Sequence, residues 1–316
     1  MSVVLVTGSS GYLGSQVVTR LSARPDLRTI ALDQREPVQR LPGVTYERAD
    51  IRAAEVDAII ACHRPQVVVH LASIVTPGKK SNREFEYSVD VEGTRKLLEA
   101  CVRHDVTRII VSSSGAAYGY HADNPPWLNE GHPLRGNQSF AYSWHKRLVE
   151  EMLADYHVRQ PQLEQIVFRI GTILGVSVNN QITDLFEKRH LIAIRGSDSP
   201  FVFIHDKDVV GAIVQGISSP VTGIFNVAGD GTLTIREIAT RLDKRCVVFP
   251  PGVLRAALWL LKKLGLTQYG PEQIDFLRYR PVLDNRRLKE EFGYVPKLSS
   301  GEVFELWRRS HRPPLR

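Results

Sequence analysis

Apolar residues in this chain gather into short unbroken runs, set between polar turns and longer segments of helical periodicity. Residues 3–7 are apolar without alternation, as a strand covered on both faces of a parallel sheet requires. Comparable runs recur at 29–32, 44–46, 67–73, 108–111 and 166–168. Between them apolar side chains return every three or four residues, as Val17, Val18 and Leu21 do, and again Val89, Leu97, Leu98, Cys101 and Val102 within a helix predicted over 84–104. A further helix is predicted over 138–157. Strands alternating with helices, without internal repeats, imply an α/β protein with a doubly wound parallel sheet. Past residue 175 the rhythm changes. A helix is expected over 180–189, apolar runs stand at 201–204 and 225–228, and the remainder from 230 reads as helical with Pro-rich joints. The expected division is 1–175 as the sheet domain, with 204–229 returning to it, and 176–203 with 230–316 as a smaller, mostly helical cap.

Composition adds limits. At 43% hydrophobic and 24% charged residues, the 316-residue chain has an ordinary globular balance and enough apolar side chains for a large core. The net charge of +7 suits anionic small molecules. The basic residues are scattered, so no nucleic-acid partner is expected. Cys62, Cys101 and Cys246 are odd in number, widely spaced and set in apolar segments. They read as reduced core thiols, with neither a disulfide frame nor a metal site, and imply a cytoplasmic protein. Met1 leads directly into an apolar run, so no signal peptide is expected, and residues 256–261 are too few to span a bilayer.

The first strand runs into Thr7-Gly8-Ser9-Ser10-Gly11-Tyr12-Leu13-Gly14, and a helix follows. Strand, glycine turn and helix in that order form a phosphate cradle. Gly8 permits the tight turn, Gly11 lets backbone approach a pyrophosphate, and Gly14 lets helix pack on strand. Asp33 ends the second strand, where a carboxylate accepts from ribose hydroxyls and repels a 2′-phosphate. NAD is therefore the expected cofactor, with NADP as the alternative that Arg35 allows. Asp50 and Ile51 stand where a sheet-edge loop borders an adenine, and Leu71, Ala72 and Ser73 end the fourth strand among small residues. Pro77 to Ser81 reads as a basic loop and a candidate substrate lid.

Chemistry concentrates between Ser112 and Lys146. The fifth strand delivers Ser112, Ser113 and Ser114, and Tyr142 and Lys146 form an i,i+4 pair that places an ammonium beside a phenol. Bringing a tyrosine from its usual pKa near 10 to neutrality takes about 4 kcal/mol, which a unit charge about 4 Å away supplies at an effective dielectric of about 20. Such a pair suits proton transfer, with a serine hydroxyl to hold the reacting oxygen. A lone Tyr-x-x-x-Lys also arises by chance on surface helices, so the surrounding motifs decide.

Those motifs resemble the extended short-chain dehydrogenase/reductase family, also called the NAD-dependent epimerase/dehydratase family. The resemblance runs through Thr7-Gly8-x-x-Gly11-x-x-Gly14, Asp33, Asp50-Ile51, His70-Leu71-Ala72, Val91-x-Gly93-Thr94, Tyr118-Gly119, Tyr142-x-x-x-Lys146, Arg169 and His205-x-x-Asp208. It implies a Rossmann-like sheet and, as catalytic residues, Ser114, Tyr142 and Lys146. Cofactor contacts are implied for Gly8, Ser10, Gly11, Tyr12, Leu13 and Gly14, then Asp33, Arg35, Asp50, Ile51, Leu71, Ala72 and Ser73, and finally Ser112, Tyr142, Lys146, Arg169 and Ile170. Substrate contacts are implied for Ser114, Ala116, Thr172 and Phe201.

Three departures bear on function. Gly115 and Ala116 replace the Asp-Glu pair of dehydratases, which argues against dehydration. Phe201 stands where many sugar-nucleotide epimerases place a pyrophosphate-binding Arg, and Asp90 replaces the usual Asn before Val91. The C-terminal ending from Leu288 to Pro296 also looks like the hydroxysteroid-dehydrogenase and dihydroflavonol-reductase branches. With an apolar segment at 253–264 expected to cover the cleft rather than lie on a membrane, it points to a less polar substrate. The expected activity is hydride transfer between a nicotinamide and a secondary alcohol or ketone carbon of a small molecule. A sugar-nucleotide epimerase and a catalytically silent dinucleotide-binding protein are the competing readings. A homodimer through 84–104 and 138–157 is expected.

Overall fold

A computed structural model of the chain describes residues 2–75, 82–198, 200–265, 270–271 and 273–311. In chain order the first half comprises β1 (Ser2–Thr7), α1 (Tyr12–Ser22), β2 (Leu27–Asp33), β3 (Val44–Arg48), α2 (Glu55–His63), β4 (Val67–His70), α3 (Arg83–Tyr87), α4 (Gly93–Arg103), β5 (Arg108–Ser114) and α5 (Ala141–Arg159). The second comprises β6 (Glu164–Ile170), β7 (Thr172–Leu174), α6 (Gln181–Glu187), β8 (His190–Ile194), β9 (Phe203–His205), α7 (Asp206–Gly216), β10 (Gly223–Val227), α8 (Ile235–Arg241), β11 (Arg245–Phe249), α9 (Pro251–Lys263), α10 (Gln273–Arg278), α11 (Arg286–Glu290) and α12 (Ser300–His311).

Seven parallel strands form one sheet in the order β3-β2-β1-β4-β5-β6-β10. After β3 the chain crosses back to β4 on the other side of β1, so strand order reverses there, and ligands bind beyond the strand ends at such a point. Successive side chains of β1 serve opposite faces, as strand geometry demands. Val4 and Val6 join Val17, Val18 and Leu21 of α1 and Val209, Val210 and Ile213 of α7 in one core layer. Leu5 joins Val56 and Ile60 of α2, Leu97 and Leu98 of α4, and Val149 and Leu153 of α5 in the other.

A third core gathers side chains from the second half of the chain. Phe186, Phe201, Phe203, Phe304 and Trp307 pack there in stacked and edge-to-face pairs 5.4–6.0 Å apart. Beside these rings β8 pairs with β11, a strand within a segment expected to be helical.

Other local expectations change too. Helix α2 escaped the periodicity reading because only Val56 and Ile60 of it are buried. The helix expected over 84–104 is interrupted by a π-helical turn, Ser88–Glu92, between α3 and α4. Of the three cysteines read as core thiols only Cys101 is buried, while Cys62 is exposed. Helix α9, expected over the cleft, has no buried residue. The candidate lid at 77–81 lies outside the described residues.

Candidate active site

The glycine turn between β1 and α1 is built as its spacing implies. Gly8 takes a left-handed φ of 68°, and a side chain there would meet the Ala72 backbone. A Cβ on Gly14 would collide with the Gly8 carbonyl oxygen. The N-cap of α1 is Gly11, with no capping side chain and no acid in the first turn. Its leading amides therefore face the cleft without a competing anion, which suits a phosphate.

Two adjoining spaces meet at this turn. One, of about 490 Å³, is lined by Asp33, Arg35, Asp50, Ile51, Leu71, Ala72 and Ser73, and also by Phe85 and Val89. Asp33 is held by the backbone N–H of Ser10, which donates to it at 3.0 Å, and by that of Arg35 at 2.9 Å. The exposed Arg35 side chain lies 3.6 Å from the same carboxylate. The Asp50 carboxylate is taken by Arg52, at 2.6 Å. Ser10 serves the cofactor space through Asp33 rather than by lining it.

The second space, of about 380 Å³, is lined by Gly8, Gly11, Tyr12, Leu13, Gly14, Ser112, Ser114, Ala116, Tyr142, Lys146, Ile170, Thr172 and Phe201. Nearly all residues implied from sequence thus converge on one continuous cleft. Arg169 does not line it. It lies on the opposite face of β6 from Ile170 and is buried in an ion pair with Glu150, 2.8 Å away, while donating to the Tyr118 hydroxyl at 2.8 Å.

Several bonds set the catalytic candidates against each other. Ser114 caps a short 3-10 turn, Gly115–Tyr118, by accepting from the Ala116 N–H at 3.1 Å. Ser143 donates to the Ala116 carbonyl at 2.7 Å and so ties the start of α5 to that turn. Lys146 donates to the Ser112 carbonyl at 2.8 Å, and its ammonium lies 5.7 Å from the centre of the Tyr142 ring.

One electrostatic expectation is overturned. Burial raises the Tyr142 hydroxyl to a pKa of about 12, and the charge of Asp90 adds to the rise, whereas a hydrogen bond with Ser114 lowers it. The ammonium is turned to the Ser112 carbonyl, so in this structure desolvation outweighs the depression that the i,i+4 spacing implied. Burial also lowers the Lys146 pKa, against the attraction of Asp90 and Glu150.

Asp90, unexplained in the sequence, is a junction. It is buried, accepts from the Ser73 hydroxyl at 3.0 Å and the Ile74 N–H at 2.9 Å, and faces His145 Nδ1 at 3.2 Å. A single carboxylate thereby joins the cofactor-side loop after β4 to the helix that carries Tyr142 and Lys146.

Sequence reasoning missed Arg280. Its guanidinium lies 4.0 Å from the centre of the Phe201 ring and 4.5 Å from that of Phe276, and it lines the cleft with Tyr120, Phe140 and Tyr142. Its Nε and Nη2 are buried without a partner among the described residues. Burial lowers its pKa to about 10, which leaves it charged at neutral pH. Position 201 carries a phenyl ring, and another element lays a positive group on it. No local signal marks it: Arg280 is one of 41 basic residues, positioned by the strap where the Leu128 N–H donates to Val282 and the Asp284 N–H to Leu128.

A switch-point glycine turn opposite a Ser–Tyr–Lys set is the architecture of a dinucleotide-dependent oxidoreductase. Residues 4–228 match the NAD dependent epimerase/dehydratase family. The chain belongs to that family, and with it to the enzymes of the extended short-chain dehydrogenase/reductase type. It is 27% identical over 310 residues to an uncharacterized protein of Mycobacterium tuberculosis, covering 96% of this chain and 82% of that one. It is 27% identical over 284 residues to UDP-glucose 4-epimerase of Yersinia pestis, covering 77% and 82%. Among solved structures, UDP-glucose 4-epimerase of Thermus thermophilus in complex with NAD superposes with a TM-score of 0.74 at 25% identity, over 99% of this chain and 100% of that one. The Thermotoga maritima UDP-glucose 4-epimerase with UDP-glucose gives 0.75 at 21%, over 98% of each.

Proposed function

We propose that the protein is an NAD-dependent hydride-transfer enzyme acting on a secondary alcohol or ketone carbon of a small molecule that carries an anionic group, with nucleotide sugars as the favoured class. The observation that carries this reading is that Ser114, Tyr142 and Lys146 share one cleft with Arg280, whose Nε and Nη2 are buried without a partner among the described residues. A buried guanidinium is costly unless paired, and a substrate carboxylate or phosphate would pair it. The aromatic walls around it, Tyr120, Phe140 and Phe276, fit the flat base or apolar face of such a ligand.

The residues divide the work. The turn at Gly8, Gly11 and Gly14 with the α1 N-terminus holds the pyrophosphate, and Asp33 the adenosine ribose. Residues 1–175 with 204–229 thus hold the cofactor, and 176–203 with 230–316 shape the substrate space. NAD, when bound, supplies the acceptor or donor of hydride. Ser114 hydrogen-bonds the reacting oxygen and Tyr142 moves its proton. With its raised pKa Tyr142 rests as the phenol and serves directly as an acid; as a base it must first ionise. Net oxidoreduction and epimerisation use these same groups, and the UDP-glucose 4-epimerase relatives support the second as an alternative outcome. We place the enzyme in the cytoplasm as a homodimer.

The test is a panel of nucleotide sugars and uncharged secondary alcohols, scored for reduced nicotinamide and for epimeric product. Turnover confined to anionic substrates is expected. Efficient turnover of uncharged alcohols alone would overturn the assignment of Arg280.

A further inference from the structure

Helix α9 leaves its hydrophobic side uncovered. Leu254 and Leu258 are half-buried, whereas Val253, Leu260 and Leu264 are 55%, 50% and 61% exposed. Positions 253, 257, 260, 261 and 264 follow helical spacing, so these residues and Ala257 and Leu261 make one continuous apolar face. At its flank Trp259 is 56% exposed, with the Lys263 ammonium 5.1 Å from the ring centre. The helix contains Arg255, Lys262 and Lys263 and no acidic residue; Arg255 pairs with Asp275 of α10.

We propose that α9 is a docking helix for an anionic lipid surface. Aliphatic side chains on one face, an indole at the border and cations beside it are the distribution of a helix lying in the headgroup region of a bilayer. Thirteen residues extend about 20 Å, too short to span, and among the described residues no helix is long and apolar enough to cross a membrane. The charge decides between occupants. Arg255 is already paired with Asp275; Lys263, at the border of the apolar face, and the net charge of +7 are complemented by anionic headgroups and oppose a like-charged second copy. Docking is independent of catalysis, since no residue of α9 lines the cleft.

The full chain should be mixed with phosphatidylcholine vesicles, with and without phosphatidylglycerol, and separated by flotation. Binding is expected to the anionic vesicles and to weaken with salt. Lys263→Glu should weaken it by about fivefold or more. Leu260→Glu with Leu264→Glu should abolish it while NAD binding is retained, and the blue shift of tryptophan emission on anionic vesicles should vanish in Trp259→Phe. Equal recovery with both vesicle types, or undiminished binding by the double variant, overturns the proposal. So does a concentration-dependent dimer that the double variant disrupts, which would make a second copy the occupant.

Discussion

The Arg280 guanidinium lies against the Phe201 ring, 4.0 Å from its centre, so a cation stands over the position where the sequence offers only a phenyl group. With two nitrogens unpartnered among the described residues, it is the strongest anion-binding candidate in the cleft. Arg280→Met keeps the bulk and the ring contact but removes the charge. KM for an anionic substrate should rise roughly thirtyfold or more, the scale of a lost buried charge pair. NAD affinity should stay unchanged, and isothermal titration alongside steady-state kinetics measures both. An unaltered KM would detach Arg280 from substrate binding.

Asp90 provides a pH test. Its charge raises the pKa of both Tyr142 and Lys146. Asp90→Asn retains the shape and the bonds to Ser73 and Ile74, so the Tyr142 pKa should fall and the alkaline rise of alcohol oxidation should move to lower pH. A residue that only packs would leave the profile in place. Asp90→Ala also removes the acceptor of the half-buried Ser73 and Ile74 donors and of the buried His145, at about 1–3 kcal/mol for a buried group left unsatisfied and less for the half-buried ones, and should lower the thermal midpoint.

Six strands of the seven-stranded sheet and the glycine turn were legible because a two-sided sheet demands unbroken apolar runs and a backbone cradle demands residues without Cβ, whereas β8 and β11, outside that sheet, were not. Tyr142 and Lys146 stood out as a pair on one helix face and the serines at one strand end, but the choice of Ser114 and the catalytic roles came from the family resemblance that the surrounding motifs carry. Arg280 did not stand out, since it reaches the cleft through the long-range pairing of Leu283 with Leu128. Asp90 was visible as a departure, but its purpose depends on Ser73 and His145, distant in sequence. The exposure of α9 escaped for a related reason: periodicity marks an apolar face but not whether anything covers it.

Cofactor choice rests on Asp33, whose carboxylate is fixed by the Ser10 and Arg35 amides. NAD is expected to bind more tightly than NADP by calorimetry, and Asp33→Ala should narrow the difference. Tighter NADP binding by the unaltered chain would mean that the Arg35 side chain, also beside this carboxylate, governs the choice.

The dimer expectation now rests on one helix. The apolar residues of α4, Leu97, Leu98, Ala100 and Cys101, are consumed in the chain's own core. Along α5, Trp144, Leu148, Met152 and Tyr156 stay half-buried at four-residue spacing. Sedimentation at micromolar concentration should give about twice 35.5 kDa, and Leu148→Glu with Met152→Glu should halve it. A monomer mass for the unaltered chain would remove the dimer.

The central claim is that Tyr142 moves the proton when hydride is transferred, and Tyr142→Phe tests it most directly. The substitution removes only a hydroxyl and leaves the ring contacts with Phe140 and the Lys146 ammonium available. With an identified substrate, the rate of nicotinamide reduction at saturating NAD is measured across pH for both proteins. The unaltered enzyme should quicken with rising pH as its high-pKa phenol ionises. The variant should be slower by about a hundredfold to ten-thousandfold, with no such rise and with NAD affinity intact. A variant that reduces NAD at nearly the full rate, with the same pH dependence, would contradict the account.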